Sequence, residues 1–309
     1  SGGEGDRRLR CFSGCSRDGI AAMTKTLLSL FDYSGQWSAP FADAGWMVVQ
    51  VDIKHGHDIK KFSAKWLIDN LLQGYPTIDG ILAAPPCTCF TKSAAQYWPA
   101  MDADGRTAES VELVYQVLRC VDYLKPDFWA LENPIGRLPK LVPELGKPLL
   151  TFDPCDYARW VAPTPLELEE TTALRTRLAK GEAFSKTDIE LVREIGAYTK
   201  RTQLWGRFNI PHKDPLEAVR VNSQGSWLQS LGGKSEKTKM LRSLTPEGFA
   251  LAFCATNAGG QLGRKIKAIE AAANEIVEAP PAGLASSYVS GFLHRNLPDI
   301  RLQAWERTG

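Results

Sequence analysis

The sequence predicts a doubly wound α/β sheet, and three observations carry that expectation. Short apolar runs rich in β-formers recur at residues 26–31, 46–52, 78–84 and 128–131. Amphipathic stretches at 38–45, 60–72 and 107–124 separate them, and strand alternating with helix at this pitch implies parallel pairing with crossover helices on both faces. The composition is ordinary for a globular chain: 309 residues, 44% hydrophobic, with 37 Lys and Arg against 35 Asp and Glu for a net charge of +2. A chain of this size buries roughly three quarters of its unfolded surface, so disulfides are not needed to stabilise a core. The composition has neither the low hydrophobicity of a disordered chain nor the one-sided charge of a nucleic-acid-coating tail, and no run approaches the ~18 apolar residues of a membrane helix. Seven cysteines cannot form a complete disulfide set, and His55, His57, His212 and His294 make no paired spacing with them. A cytoplasmic monomer with reduced thiols, no metal and no membrane partner is expected.

The elements follow in order. Residues 1–22 carry Gly, Arg and Ser without periodicity and read as a flexible leader. The core spans 23–208. Within it, Pro134, Pro139, Pro143 and Pro148 enforce an irregular path to a candidate strand at 149–153. Residues 164–197 are charge-dense and helical in pattern, which reads as a solvated insertion. A last core strand is expected at 202–208, then a loop-like region over 209–244 rich in Gly, Ser and Lys. Closing helices occupy 245–277, the first capped by Thr245 with Pro246 in its opening turn, and a tail runs over 278–309.

Four strand ends carry chemistry. The turn Phe31-Asp32-Tyr33-Ser34-Gly35-Gln36-Trp37-Ser38 places a small residue and a glycine between strand and helix, where open α/β sheets bind ligands. No Gly-Lys-Ser/Thr follows, so it is not a phosphate loop. The next strand ends in Val51-Asp52, seventeen residues after Gly35, close to the spacing at which a carboxylate accepts from a ribose diol. Asp58-Ile59 suits an adenine amino group, and together these features favour an adenosine-containing cofactor. The run at 78–84 leads into Pro85-Pro86-Cys87-Thr88-Cys89-Phe90-Thr91, a cysteine presented by two prolines. A thiol with pKa about 8.5 is only slightly ionised at neutral pH, yet intrinsically nucleophilic; the alternative is a cysteine used as a small apolar residue. The neighbouring strand ends in Glu132-Asn133-Pro134, whose carboxyl, partly desolvated, has a raised pKa and can protonate a ring nitrogen. Thiol and acid together suit addition to carbon 6 of a pyrimidine with protonation of nitrogen 3, which makes carbon 5 nucleophilic.

This ordered set, Tyr33-Ser34-Gly35, Asp52, Asp58-Ile59, Pro86-Cys87-Thr88-Cys89-Phe90-Thr91 and Glu132-Asn133-Pro134, resembles the DNA (cytosine-5) methyltransferases, in particular the compact phage and prophage type. The resemblance implies a Rossmann-like, class I S-adenosylmethionine-dependent methyltransferase sheet with a small target-recognition region, acting on double-stranded DNA by base flipping. It makes Cys87 the nucleophile and Glu132 the acid, with Asn133 positioning the loop and Arg201 matching the first arginine of the family's Gln-x-Arg-x-Arg signature. Tyr33, Ser34, Gly35, Gln36, Trp37, Asp52, Ile53, Asp58, Ile59 and Pro86 would line S-adenosylmethionine. The sequence departs from the family in five places, the first being Pro134 where a valine usually follows Glu-Asn. Trp37 stands where the second glycine of the cofactor turn belongs, Thr88 replaces a glutamine, and Gln203 replaces the second arginine. The closing Gly-Asn-Ser/Ala-Val element is unrecognisable, with Gly248-Phe249 or Asn257 as substitutes.

Lys92, Lys213, Arg220, Lys234, Lys237, Lys239 and Arg242 are the candidate DNA contacts; basic loops of this kind neutralise phosphates without reading sequence. A solvated loop is the plainer alternative. Three rival functions stay open. A carboxylated S-adenosylmethionine could be the donor if Lys92, Arg242 or Lys234 meets the extra carboxylate. RNA or a free cytosine nucleotide could be the substrate, and a nucleic-acid-binding pseudoenzyme is the non-catalytic reading.

Overall fold

A computed structural model describes residues 25–61, 77–221, 226–229, 231 and 235–259. The leader, most of the helix expected at 60–72, the helix at 262–277 and the tail lie outside the described residues. Strands β1 (Thr26–Leu30), β2 (Met47–Val51), β3 (Gly80–Ala83) and β4 (Phe128–Pro134) form where the apolar runs predicted them. Helix α1 (Ala39–Asp43) follows β1, and α2 (Trp98–Ala103) and α3 (Arg106–Leu124) lie between β3 and β4. A short α4 (Leu138–Leu141) leads to β5 (Leu150–Phe152). Helices α5 (Pro165–Ala179) and α6 (Lys186–Glu194) precede β6 (Thr202–Arg207), and α7 (Glu236–Ser243) and α8 (Glu247–Asn257) follow it.

The six strands are ordered β2-β1-β3-β4-β6-β5. β1 pairs in parallel with β2 on one side and β3 on the other, so the chain reverses its direction of growth at β1. This is the switch point outside which open α/β sheets bind ligands. β6 runs antiparallel to both β4 and β5, with Thr202 opposite Pro134 and Phe152. Alternation of strand and helix had implied parallel pairing throughout. The reversal has a topological cause: the segment joining β5 to β6 makes no crossover and re-enters the sheet from the carboxyl edge that β5 has just left.

Alternate side chains of each strand enter opposite cores, as strand geometry requires. Leu28, Ile81, Leu131 and Trp205 pack with Met101 of α2 and Val114, Val117 and Cys120 of α3 on one face. Leu27, Leu82, Ala130 and Leu204 pack on the other with Phe41 of α1 and Phe249 and Phe253 of α8. The Phe249 ring stacks on Phe152 at 4.1 Å. Each such fully buried side chain contributes about 1.5–3 kcal/mol.

A third cluster changes the reading of two regions. Leu174, Val192 and Ile195 of the expected solvated insertion pack with Tyr198, Val219 and Trp227, so helices 165–194 and part of the expected loop region share a core of their own. The charge density disguised a small apolar face on each helix. The region 209–244 also ends in α7, started by Ser235, whose hydroxyl accepts from the Thr238 N–H. Thr245 does not cap α8: Pro246 occupies the cap position, with no side-chain hydrogen bond.

Candidate active site

The turn after β1 is built around a buried carboxylate. Asp32 accepts hydrogen bonds from Ser38 Oγ (2.8 Å), Ser29 Oγ (3.0 Å), the Ser38 N–H (3.3 Å) and Ser34 Oγ (3.4 Å). Gly35 is in the left-handed region at φ +70°, and a Cβ there would stand 2.8 Å from Gln50 Nε2, which itself donates to the Asp32 carbonyl (3.0 Å). A side chain at position 35 would therefore push into the turn's own bracing. Around it, Tyr33, Ser34 and Ile53 are exposed and Gln36, Asp52 and Asp58 partly so. Asp52 accepts from the Lys54 N–H (2.8 Å) and Asp58 from the Lys60 N–H (3.0 Å), which leaves each carboxylate acceptor capacity. Lys54 Nζ lies 4.9 Å from the centre of the Tyr33 ring.

Two residues expected to line a cofactor here present no side chain to it. Trp37 is 1% exposed and packs against Phe249 and Phe253 at 6.0 and 5.7 Å. Ile59 is buried in the core on the other face. The second glycine's position in the turn is thus taken by a residue that anchors α8, and the apolar side chain left at the crevice is Ile53.

The loop from Pro85 to Thr91 is fastened to the end of β4 by a series of bonds. Asn133, fully buried, donates from Nδ2 to the Pro85 carbonyl (3.0 Å). The Arg137 N–H donates to the Phe90 carbonyl (2.9 Å) and the Lys92 N–H to the Ile135 carbonyl (3.0 Å). Arg137 Nε reaches the Cys89 carbonyl (2.9 Å), while its other nitrogens grip Asp102 at 2.8 and 2.7 Å and its guanidinium covers the Trp98 ring at 4.6 Å. Gly136 allows the close approach, since a Cβ there would stand 1.9 Å from the Phe90 carbonyl oxygen. Cys87 is thereby held on a stiff loop, partly exposed, with Pro86 and Thr88 exposed beside it and Cys89 buried.

Burial pushes the Cys87 thiol up, the nearby Glu132 carboxylate adds to the rise, and Lys200 opposes it. Burial likewise raises Glu132, again opposed by Lys200. A thiol, a carboxyl and one ammonium therefore share a field. Arg201 does not join them: its Nε pairs with Asp153 Oδ2 at 3.0 Å. Gln203 lies opposite Asn133 in the sheet, two residues before Trp205, and alternation puts it on the face away from Glu132. Gly248 and Asn257 serve packing. A Cβ on Gly248 would meet the Tyr157 carbonyl at 2.2 Å, and the Asn257 amide exchanges two hydrogen bonds with the Asn209 backbone at 2.8 and 3.0 Å.

The basic residues are dispersed. Lys92 and Arg220 are exposed, Lys213 pairs with Asp156 (2.9 Å), and Lys239 pairs with Glu236 (2.6 Å). The Arg242 guanidinium donates to the Leu228 and Leu231 carbonyls, so it braces its own segment. Lys234 lies outside the described residues, and the side chain of Lys237 does too. Among the described residues no group of three His, Cys, Asp or Glu side chains could hold a metal, and no helix is long and apolar enough to cross a membrane.

Sequence reasoning passed over Asp32, Arg137 and Lys200. Asp32 had a readable signal, a carboxylate amid Ser29, Ser34 and Ser38. Lys200 and Arg137 had none, because their partners are remote in the chain.

No protein-family profile matches the chain, and no curated protein matches it. Among solved structures, it resembles a candidate DNA modification methyltransferase encoded within a prophage of E. coli, at 18% identity and a TM-score of 0.34. The match covers 63% of this chain and 53% of that one, so the chain spans about half of that protein. At that score the likeness defines neither fold nor activity.

Proposed function

We propose that the chain transfers a methyl group to carbon 5 of cytosine in DNA, with S-adenosylmethionine as donor. The observation that supports this best is the shared field of Cys87 and Glu132, brought together from two strand ends by a loop that Asn133 and Arg137 hold rigid. Cys87 sulfur bonds to carbon 6 of the base as the carbon 5–carbon 6 double bond opens. Glu132 delivers its proton to nitrogen 3, so no anion accumulates on the ring. A bound donor would supply the methyl group as an electrophile for carbon 5, its sulfonium sulfur keeping the electron pair of the broken bond and leaving as a neutral thioether. Loss of the carbon 5 proton to solvent then expels the Cys87 thiolate and restores the double bond, and Glu132 recovers its proton as nitrogen 3 releases it.

The turn at the switch point suits an adenosine-bearing donor. Gly35 fits where a Cβ could not, Asp52 keeps acceptor capacity for a ribose diol, and exposed Ile53 offers an apolar surface to a purine. A flipped base is required for chemistry on a duplex, at a cost of a few kcal/mol. Of the three cations that could meet a carboxylated donor, Arg242 is engaged with its own segment, Lys92 is exposed and Lys234 lies outside the described residues.

Incubation with duplex DNA and S-adenosylmethionine, followed by nucleoside mass spectrometry, tests the reading. A 5-methylcytosine peak that disappears in Cys87→Ala is the expected result, together with loss of the covalent adduct on a 5-fluorocytosine duplex. Full turnover by Cys87→Ala would overturn the mechanism. A carboxymethyl product would redirect the donor, and modification of transfer RNA alone would redirect the substrate.

A further inference from the structure

The segment 244–247, between α7 and α8, shares the lining of a cavity of about 170 Å³ with Gln36 of the turn after β1. Arg193 and Glu194 at the end of α6 line it too, as do Tyr198 and Trp227 of the third cluster. The turn at the sheet's switch point and the helical insertion 164–197 therefore meet in one space. Neither Cys87 nor Glu132 is among the lining residues, so the reacting base has its place elsewhere. Pockets for whole drug-sized molecules run to about 300–1,000 Å³, and this one suits a fragment the size of an amino acid. Tyr198 is 4% exposed. Its N–H donates to the Gly196 carbonyl (2.8 Å), its carbonyl accepts from the Cys155 N–H (3.1 Å), and its ring meets Trp227 edge-on at 5.5 Å. Its hydroxyl, by contrast, has no hydrogen-bond partner among the described residues. An unpaired buried hydroxyl opposes folding and calls for a reason. Glu194 and Glu247 line the same cavity as like charges: burial raises the Glu247 carboxyl, and Glu194 adds to the rise. Arg193 pairs with Glu194 at 3.2 Å.

We propose that this cavity receives the amino-acid end of S-adenosylmethionine, Glu194 and Glu247 taking its ammonium and Tyr198 and Arg193 its carboxylate. The assignment deepens the methyl-transfer reading and rests on it for the identity of the donor. Two carboxylates, a guanidinium and an unspent phenol hydrogen are the complement of a zwitterion, and bonds to charged groups are the strong ones. An ammonium between the two glutamates also relieves their repulsion. The turn itself cannot supply these contacts, because Trp37 packs against Phe249 and Phe253 and only Gln36 reaches the cavity from that side. The insertion therefore has a purpose beyond its own small core: it walls the end of the donor that the turn leaves open.

Two ligands that differ in this end provide the test: S-adenosylhomocysteine carries the amino acid, and 5′-methylthioadenosine lacks it. Titration calorimetry on the full chain should find Tyr198→Phe and Glu247→Gln each about tenfold weaker for S-adenosylhomocysteine, with affinity for 5′-methylthioadenosine unchanged. Neither variant should lower the melting temperature, since the first deletes an unpaired hydroxyl and the second removes a like charge. A purely structural role would give the opposite pattern, a loss of stability with no preference between the ligands. Wild-type affinity for S-adenosylhomocysteine in both variants would overturn the proposal, as would equal losses for the two ligands, and either result would leave the methyl-transfer reading standing. Binding of neither ligand by the unaltered chain would reject the donor itself, and the cavity's assignment with it.

Discussion

Asn133 and Glu132 are neighbours with opposite costs. The Asn133 amide spends its donor on Pro85, and Asn133→Ala would leave a buried carbonyl without that partner, a loss of about 1–3 kcal/mol. Urea denaturation should show that loss, and turnover should fall further than stability alone explains because the Cys87 loop is released. Glu132 carries the reverse sign. Its carboxyl is raised by burial, so the folded state binds the proton more tightly than the unfolded chain does. Stability from this group is present below the ordinary glutamate pKa of about 4.3 and is lost as pH rises through the higher folded value. Glu132→Gln should therefore raise the melting temperature at pH 7, by about 2–4 °C for each kcal/mol recovered, with the gain vanishing near pH 4. Turnover should fall by orders of magnitude, on the order of the 10²–10⁴ that a positioned acid supplies. A variant both less active and less stable at pH 7 would contradict this account of the site.

At the scale of elements, the first four strands were legible because each is an apolar run ended by a polar or turn residue, and Cys87, Glu132 and the Asp52 strand end were legible for the same reason. Direction was not. The run at 202–208 reads identically forward and backward in periodicity, so only the absence of a crossover reveals that β6 is antiparallel. Helix α7, with Lys237, Thr238, Lys239 and Arg242 in eight residues, lacks the apolar stripe that would have marked it. Trp37 was misplaced because a turn motif says nothing about which core its aromatic residue serves. The cluster joining α5 and α6 to Trp227 was hidden by charge on the outer faces. Trp227→Ala should cost about 3–5 kcal/mol in that cluster. Hydrogen exchange should show faster opening of 165–221, while β1 to β4 keep their protection.

For the whole molecule, charge is the quantity to measure. A net charge of +2, with Lys213 and Lys239 already paired, predicts weak dependence of duplex binding on salt. Two to four phosphate contacts would give a slope of log K against log salt of about −2 to −4, which fluorescence anisotropy between 50 and 200 mM salt can read as roughly −0.9 per phosphate. A slope near −10 would reveal a larger basic surface than the described residues hold.

The antiparallel insertion of β6 also orders events during synthesis. Glu132 lies on a strand whose free edge is covered only when Thr202–Arg207 has been made, seventy-three residues after Pro134. At the usual pace of translation of about 5–20 residues per second, β4 waits roughly 4–15 s with its edge bare. During that interval the nascent chain owns a thiol and a carboxyl but neither the strand beside the acid nor the lysine that precedes it. A ribosome stalled before residue 200 should thus present an inert and adhesive intermediate, one that a holdase would bind and the completed sheet would not.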